Sequence, residues 1–172
     1  MSLRKNKVTR GAEFTVALAG NPNVGKSTVF NSLTGLNVHT GNWSGKTVGC
    51  QSCVINIMDR CIELVDVPGA YSLFCHSEEE RIAGDYISFG GADLVVVVCD
   101  ATALSANLNL ALQIIEIGRP VVLCLNLMDE ARRAGITIDT GELERRLGVP
   151  VVPVVGRSRR TLMPLVSAII KR

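Results

Sequence analysis

Short apolar runs alternate along this chain with stretches in which apolar residues recur every three or four positions. Four runs, over residues 14–19, 94–99, 121–125 and 151–155, are predominantly apolar, as in strands covered on both faces. The helical spacing predicts helices over residues 26–33, 104–117, 140–147 and 162–170. Two further strands, over residues 49–58 and 61–67, meet at Asp59 and Arg60, where we expect a hairpin.

This alternation of strands and helices predicts an α/β fold of three layers. We expect a mainly parallel sheet of six strands with one antiparallel edge strand and with helices on both faces. A single domain over residues 1–172 is the simplest organisation. Because ligands of such sheets bind beyond the carboxyl ends of the strands, the chemistry is expected in the loops that follow strands.

The composition fits one globular unit and argues against nucleic-acid binding and against a membrane-spanning helix. Of the 172 residues, 47% are apolar, and the net charge is only +2, so no strong positive field favours nucleic acid. The longest apolar runs are far shorter than the about 18 residues that a spanning helix needs. No apolar stretch follows the basic residues of segment 1–10, so we expect no signal peptide and a soluble chain in a reducing cytosol.

The six cysteines favour free thiols over a metal site. Cys50 and Cys53 form a C-x-x-C pair, but an offset of three within an apparent strand sends the two side chains to opposite faces. No second pair completes a tetrahedral set of ligands. Cys99 and Cys124 lie inside apolar runs and are expected to pack as core residues.

The segment GNPNVGKS, residues 20–27, matches the phosphate-loop pattern G-x-x-x-x-G-K-[ST] in full and lies between a predicted strand and a predicted helix. Gly20 and Gly25 let the backbone turn its N–H groups inward around an anion, and the helix adds its positive end. Lys26 is expected to reach the β and γ phosphates, and Ser27 to ligate Mg²⁺. The predicted nucleotide-binding residues of this segment are Gly20, Asn21, Pro22, Asn23, Val24, Gly25, Lys26, Ser27 and Thr28.

Asp66, Val67, Pro68 and Gly69 end the third predicted strand. An aspartate in this place holds Mg²⁺, usually through water, and the Gly69 N–H is placed to meet the γ phosphate. Pro-Gly after a strand is also an ordinary turn, so this motif gains its meaning from the phosphate loop before it.

Asn126, Leu127, Met128 and Asp129 follow the strand over residues 121–125. Guanine offers N1–H and an exocyclic amine, which one carboxylate accepts together, whereas adenine presents an unprotonated N1. Asp129 is therefore predicted to select guanine, and a site built on such hydrogen bonds rejects a base that lacks them. The alternative is that Asp129 is simply a helix N-cap.

Together the three motifs resemble those of the translation-factor-related small GTPases, and the resemblance spans the whole chain. More narrowly, Asn23, the stretch GNWSGKTV at 41–48 and the stretch DVPGAYSL at 66–73 resemble the cytosolic G domain of FeoB, a family of bacterial ferrous-iron transporters. The resemblance implies a Ras-like P-loop GTPase fold.

The resemblance also implies roles for residues in the segment 41–48. Thr47 would close over the γ phosphate and Mg²⁺, while Asn23, with the backbone carbonyls of Gly41 and Trp43, would hold K⁺. Such a cation lies where an arginine finger acts in other GTPases and offsets charge on the transferred phosphoryl group. The residues of this segment that would line the nucleotide are Gly45, Lys46, Thr47 and Val48. The implied catalytic set is Asn23, Lys26, Thr47 and Gly69.

Two departures from relatives bear on the chemistry. Many GTPases orient the attacking water with a glutamine after D-x-P-G, but Ala70 stands here, so we expect slow hydrolysis with water placed by backbone groups or gated by Trp43. After the last predicted strand, where relatives carry Ser-Ala or a similar dipeptide, Ser158 matches the serine, Arg159 replaces the small residue, and Arg157 precedes both. We predict that all three lie at the base, that nucleotide is held loosely and that GDP leaves rapidly.

The switch loops of this family correspond to residues 36–48 and 68–80, which are expected to reorder on hydrolysis. The acidic run of Glu78, Glu79 and Glu80 beside His76 is interpreted as a solvated helix N-terminus rather than a metal site.

The resemblance implies the regulatory domain of a ferrous-iron transporter that hydrolyses GTP slowly, with Mg²⁺ and with stimulation by K⁺. Its expected setting is the cytoplasmic side of the bacterial inner membrane. The expected partners are guanine nucleotide, the family's helical and membrane domains, which we expect to lie outside this chain, and a second copy through the switch loops. Two alternatives are a GTP-binding signalling module with negligible turnover and a stand-alone potassium-dependent GTPase of RNA maturation.

Overall fold

Six strands form one sheet in the computed structural model, which describes residues 12–35, 49–58, 60–74 and 77–171. The spatial order is β2-β3-β1-β4-β5-β6, with β2 antiparallel to β3 at one edge and every other neighbouring pair parallel. The predicted sheet is confirmed. The strands are β1 Phe14–Gly20, β2 Gln51–Ile57, β3 Arg60–Asp66, β4 Leu94–Asp100, β5 Val121–Asn126 and β6 Val151–Pro153.

Helices cover both faces of the sheet, as predicted for three layers. The helices are α1 Lys26–Thr34, α2 Glu78–Phe89, α3 Leu104–Glu116, α4 Met128–Arg133, α5 Thr140–Leu147 and α6 Arg159–Ile170. Apolar side chains of α1 and α6 pack on one face, and those of α2, α3, α4 and α5 pack on the other. The central strands β4 and β5 are buried on both sides, which explains their uninterrupted apolar sequences.

The last strand and last helix differ from their predicted bounds for a physical reason. The strand ends at Pro153, and the N–H of Val155 donates to the Thr161 hydroxyl (3.0 Å) instead of to the sheet. The helix begins at Arg159, three residues before its first apolar position, because the Ser158 carbonyl accepts the N–H groups of Thr161 and Leu162. The first turn of this helix is polar, so the spacing of apolar residues could not predict where the helix begins.

The interpretation of the acidic run as solvated is wrong for Glu80, which is only 7% exposed. Its carboxylate accepts the backbone N–H of Tyr71 (3.1 Å), while the Ser77 hydroxyl accepts the N–H of Glu80 (3.1 Å) and caps α2. Burial of this carboxylate is tolerable because it is hydrogen-bonded. His76 lies outside the described residues.

The C-x-x-C pair does send its side chains to opposite faces, as predicted. Cys50 packs with the apolar cluster on one side of the sheet and Cys53 with the cluster on the other. Both are free thiols, as are Cys99 and Cys124, which are fully buried. Burial raises the pKa of Cys99 to about 12 and raises that of Cys124 well above its ordinary value.

Helix length and polarity also bear on membrane contact. Among the described residues, no helix combines the length and the apolar character needed to cross a bilayer.

Two leucines on α3 give a matched test of the packing. Leu110 is fully buried against the sheet, whereas Leu112 is 44% exposed on the same helix. We expect Leu110→Ala to lower the free energy of unfolding by about 2–5 kcal/mol, because a cavity replaces a buried side chain. Leu112→Ala should cost less than about 1 kcal/mol. Urea denaturation of both variants measures the difference, and equal losses would contradict this placement of α3.

Candidate functional site

The predicted motifs come together because their strands end at the same edge of the sheet. In the parallel register Leu18 of β1 pairs with Asp66 of β3, and Asp100 of β4 pairs with Asn126 of β5. The phosphate loop leaves β1 between these neighbours. Each of the three motifs therefore follows a carboxyl end on the central part of the sheet, where a ligand of such folds binds.

Close backbone contacts shape the phosphate loop. A Cβ added at Gly20 would lie 2.5 Å from the Val98 carbonyl oxygen, and one added at Gly25 would lie 2.4 Å from Nδ2 of Asn126. Gly25 has φ 81°, and Asn23 has φ 65°, so the loop twice enters the left-handed region before α1 begins. Among the described residues no side chain caps α1, whose first turn carries the exposed Ser27 and Thr28. The loop therefore presents main-chain N–H groups at a helix start.

Lys26 and Asp66, predicted to bind phosphate and Mg²⁺ respectively, form an ion pair through Nζ and Oδ1. Their side chains are only 11% and 13% exposed, so each charge is largely removed from water and compensated by the other. Separating such a pair is costly unless each charge meets a new partner of opposite sign. A phosphate for the ammonium and a cation for the carboxylate would supply those partners.

The chain after Asp66 is hydrogen-bonded to the end of β1 and to the phosphate loop. The N–H of Val67 donates to the Leu18 carbonyl (3.2 Å), and the N–H of Ala70 donates to the Gly20 carbonyl (3.1 Å). A Cβ on Gly69 would lie 3.2 Å from Pro22, so the glycine permits this close approach. Ala70 is buried, and the position after Gly69 brings no polar side chain to the site.

Asn126 joins three separate parts of the site. Its amide nitrogen donates to the Val24 carbonyl of the phosphate loop (2.9 Å), and its amide oxygen accepts the N–H of Gly156 (2.8 Å). The side chain is buried, so these bonds are shielded from water. Gly156 was not predicted as a site residue. The signal in the sequence was a glycine directly after the last predicted strand. The structure gives the reason for it, because a Cβ at this position would lie 3.1 Å from the Asn126 amide oxygen.

Asp129 lies in the first turn of α4 and not at its cap. Leu127 occupies the N-cap position with φ 60°, and the N–H of Met128 donates to the Val154 carbonyl (3.3 Å). The alternative role of Asp129 as a helix N-cap is therefore wrong.

Two arginines approach the Asp129 carboxylate. Nη2 of Arg157 lies 2.7 Å from Oδ2, and Nη2 of Arg133 lies 3.3 Å from the same oxygen. Partial desolvation favours the protonated acid, but the Arg157 hydrogen bond and the two positive charges outweigh it and lower the pKa of Asp129. The carboxylate is thus ionised at neutral pH, as a partner for two N–H donors must be.

The two other predicted residues near the last strand, Ser158 and Arg159, belong to the start of α6. Arg159 donates from Nη2 to the Gly35 carbonyl at the end of α1 (2.6 Å), and Ser158 is the residue before α6. Gly156, not Ser158, is the small residue that contacts Asn126.

The side chain of Asn21 in the phosphate loop is buried, and its Nδ2 lies 3.5 Å from the Ala106 carbonyl, so it faces α3.

Part of the predicted site lies outside the described residues. This part comprises the proposed switch threonine, the potassium-binding carbonyls and the tryptophan gate, namely Gly41, Trp43, Gly45, Lys46, Thr47 and Val48. Their roles stay predictions.

Comparison with known proteins gives a consistent family. The family model described as "Ferrous iron transport protein B" matches residues 14–169. The Fe(2+) transporter FeoB of Salmonella typhimurium is 44% identical over 161 residues, which are 91% of this chain and 21% of the relative. The chain therefore spans about a fifth of the length of this curated relative.

Solved structures agree in fold and in sequence. The FeoB G-domain from Methanococcus jannaschii is 44% identical, covers 92% of this chain and 96% of its own, and superposes with a TM-score of 0.81. The cytosolic domain of the T. maritima FeoB iron transporter in its GMPPNP form is 41% identical, with a TM-score of 0.82, and the match covers 92% of this chain and 63% of that one.

The Asn126 bridge can be tested without any ligand. Asn126→Ala would leave the Val24 carbonyl and the Gly156 N–H buried without their partners, which should lower the free energy of unfolding by about 2–4 kcal/mol. Asn109→Ala is the matched control, because Asn109 is exposed and donates one bond to the Tyr71 carbonyl (3.3 Å). It should cost less than about 1 kcal/mol. Chemical denaturation that ranks the two variants equally would remove the bridge from its structural role.

Proposed function

This chain belongs to the ferrous iron transport protein B family and corresponds to its G domain, and from this premise we propose that it binds GTP with Mg²⁺ and hydrolyses it to GDP and phosphate. The proposal extends to a regulatory role in a ferrous-iron transporter. In that role the domain works on the cytoplasmic side of the membrane, and its partners are the helical and membrane domains of the family.

The observation that carries the proposal is the Asn126 bridge. The buried amide of Asn126, which lies three residues before Asp129, binds the phosphate loop on one side and the loop after β6 on the other. It fixes an anion cradle and a base-reading carboxylate in one rigid frame. GTP has the complementary ends, a triphosphate and a purine edge with two donors. The T. maritima relative, solved in GMPPNP and GDP forms, supports the same ligand class.

The residues present fit Mg²⁺ by their chemistry. Mg²⁺ prefers oxygen donors from hydroxyls, carboxylates and phosphates, and the exposed Ser27 and the largely buried Asp66 supply the first two. Thr47 is the further proposed donor. Bound Mg²⁺ would offset charge on the β and γ phosphates, while Lys26 moves from Asp66 to the phosphates.

We further propose that hydrolysis is slow and is stimulated by K⁺ held by Asn23 and by the carbonyls of Gly41 and Trp43. Asn23 supports this role because its side chain is exposed on a left-handed turn at the mouth of the phosphate loop. The buried Ala70 supports slow turnover, since no glutamine orients water there. The same observation favours a second candidate function, a GTP-binding signalling module with negligible turnover.

Base selection is tested with Asp129→Asn. An amide replaces one acceptor with a donor, which suits the carbonyl that xanthine carries in place of the exocyclic amine. We expect GTP affinity to fall by on the order of a hundredfold and xanthosine triphosphate to bind more tightly than in the unsubstituted protein. Calorimetry with Mg²⁺ measures both. Asp139→Asn is the control, because Asp139 is an exposed cap of α5 and asparagine caps equally well. An unchanged order of GTP and xanthosine triphosphate would refute base reading by Asp129.

Turnover is tested by phosphate release at saturating GTP and Mg²⁺ in KCl and in NaCl of equal ionic strength. We expect release to be several-fold faster in KCl, because a cation at the arginine-finger position offsets charge in the transition state. Asn23→Ala should abolish the difference between the salts while GTP still binds. Binding without release in either salt would leave the signalling module as the function.

A further inference from the structure

We propose that Arg157 is a specificity-determining residue whose side chain competes with guanine for Asp129. The inference rests on the proposed function, since it concerns the same base-reading carboxylate. It assigns Arg157 a role opposite to that of a ligand: its guanidinium weakens the binding of guanine nucleotides.

The competition follows from the atoms involved. Arg157 donates from Nη2 to Oδ2 of Asp129 over 2.7 Å. Guanine requires both oxygens of this carboxylate, one for N1–H and one for the exocyclic amine. The base therefore has to displace the guanidinium from Oδ2 before it makes its full set of hydrogen bonds.

Arg157 differs from the second arginine on this carboxylate. Arg133 lies four residues from Asp129 on α4 and also donates from Nε to the Asp129 carbonyl (3.3 Å), so it forms part of the helix surface. Arg157 comes from a different element, and its side chain is 71% exposed. It can swing into solvent while its own backbone stays in place.

The backbone of the Arg157 loop does not depend on this ion pair. The Gly156 N–H is bound to Asn126, the Val155 N–H to the Thr161 hydroxyl, and the Ser158 N–H to the Val155 carbonyl (2.7 Å). Exposed ion pairs contribute little to folding. Removing the guanidinium is therefore expected to change the ligand balance at Asp129 and to leave the fold intact.

The consequence is selective for the base. GTP and GDP both place guanine on Asp129, so both lose the same part of their affinity to Arg157. A nucleotide whose base does not use this carboxylate loses nothing. Arg157 thus reduces the preference for guanine and shortens the lifetime of both guanine nucleotides on the domain.

The test is a calorimetric titration of GTP and GDP, with Mg²⁺, into the unsubstituted chain and into Arg157→Ala and Arg157→Gln. Both variants should bind GTP and GDP about two- to fivefold more tightly, the gain expected when an exposed ion pair no longer competes. Loss of a positive charge near a triphosphate would ordinarily weaken binding, so the sign of the change is diagnostic. Arg145→Ala is the control for charge, because Arg145 is equally exposed and pairs with Glu142 on α5 (2.7 Å). It should bind as the unsubstituted chain does.

A double-mutant cycle locates the effect. In an Asp129→Ala background, Arg157→Ala should leave GTP affinity unchanged, because the contested carboxylate is gone. Unchanged or weaker GTP binding by Arg157→Ala in the natural background overturns the inference, as does an equal gain in the Asp129→Ala background. Failure of the folded, unsubstituted chain to bind GTP would instead overturn the proposed function, and with it this inference.

Discussion

The geometry of the site depends on one buried amide. Asn126 stands at the end of β5 and binds segments that are 102 residues before it and 30 residues after it in sequence. Because both of its polar atoms are buried and used, neither segment can shift without leaving a polar group unsatisfied. Gly25 follows from this constraint, since a Cβ there would collide with the amide, and a Cβ at Gly156 would lie in tight contact with it. The phosphate loop and the turn that leads to Asp129 are therefore held together as one body.

The charged side chains of the site form ion pairs. Lys26 is matched with Asp66 beside the phosphate loop, and Arg157 with Asp129 at the start of α4. The two pairs differ in burial: the first is sheltered and costly to break, whereas the second is exposed and weak. A ligand that carries an anion and a cation at one end would give Lys26 and Asp66 new partners. Neutral N–H donors at its other end would take the place of Arg157 on Asp129. At the Lys26–Asp66 end, such an exchange leaves neither sheltered charge without a partner of opposite sign.

The sequence predicted the sheet well because buried strands have apolar runs that need no tertiary information. For α2 only the acidic start at residues 78–80 was predicted, and α4 was not predicted, since it buries only Ala131. The signal for α2 was present as Ser77 followed three residues later by Glu80, a helix-start pattern. The motifs located Lys26, Asp66 and Asp129 because their spacing from strand ends is local. The pairing of Arg157 with Asp129 and the contact of Gly156 with Asn126 depend on packing across the sheet, and no local pattern encodes them.

The short segment after Gly69 is attached residue by residue to three different elements. Ala70 is bonded to the Gly20 carbonyl, Tyr71 to the Glu80 carboxylate on α2, and Leu73 to the Gln113 side chain on α3 (2.7 Å). Successive residues of the segment are thus held to the end of β1 and to two helices. A displacement of the backbone at Ala70 would strain the hydrogen bonds to the first turn of α2 and to the last turn of α3. The edge of the phosphate loop is in this way linked to the outer helical layer of the domain within four residues.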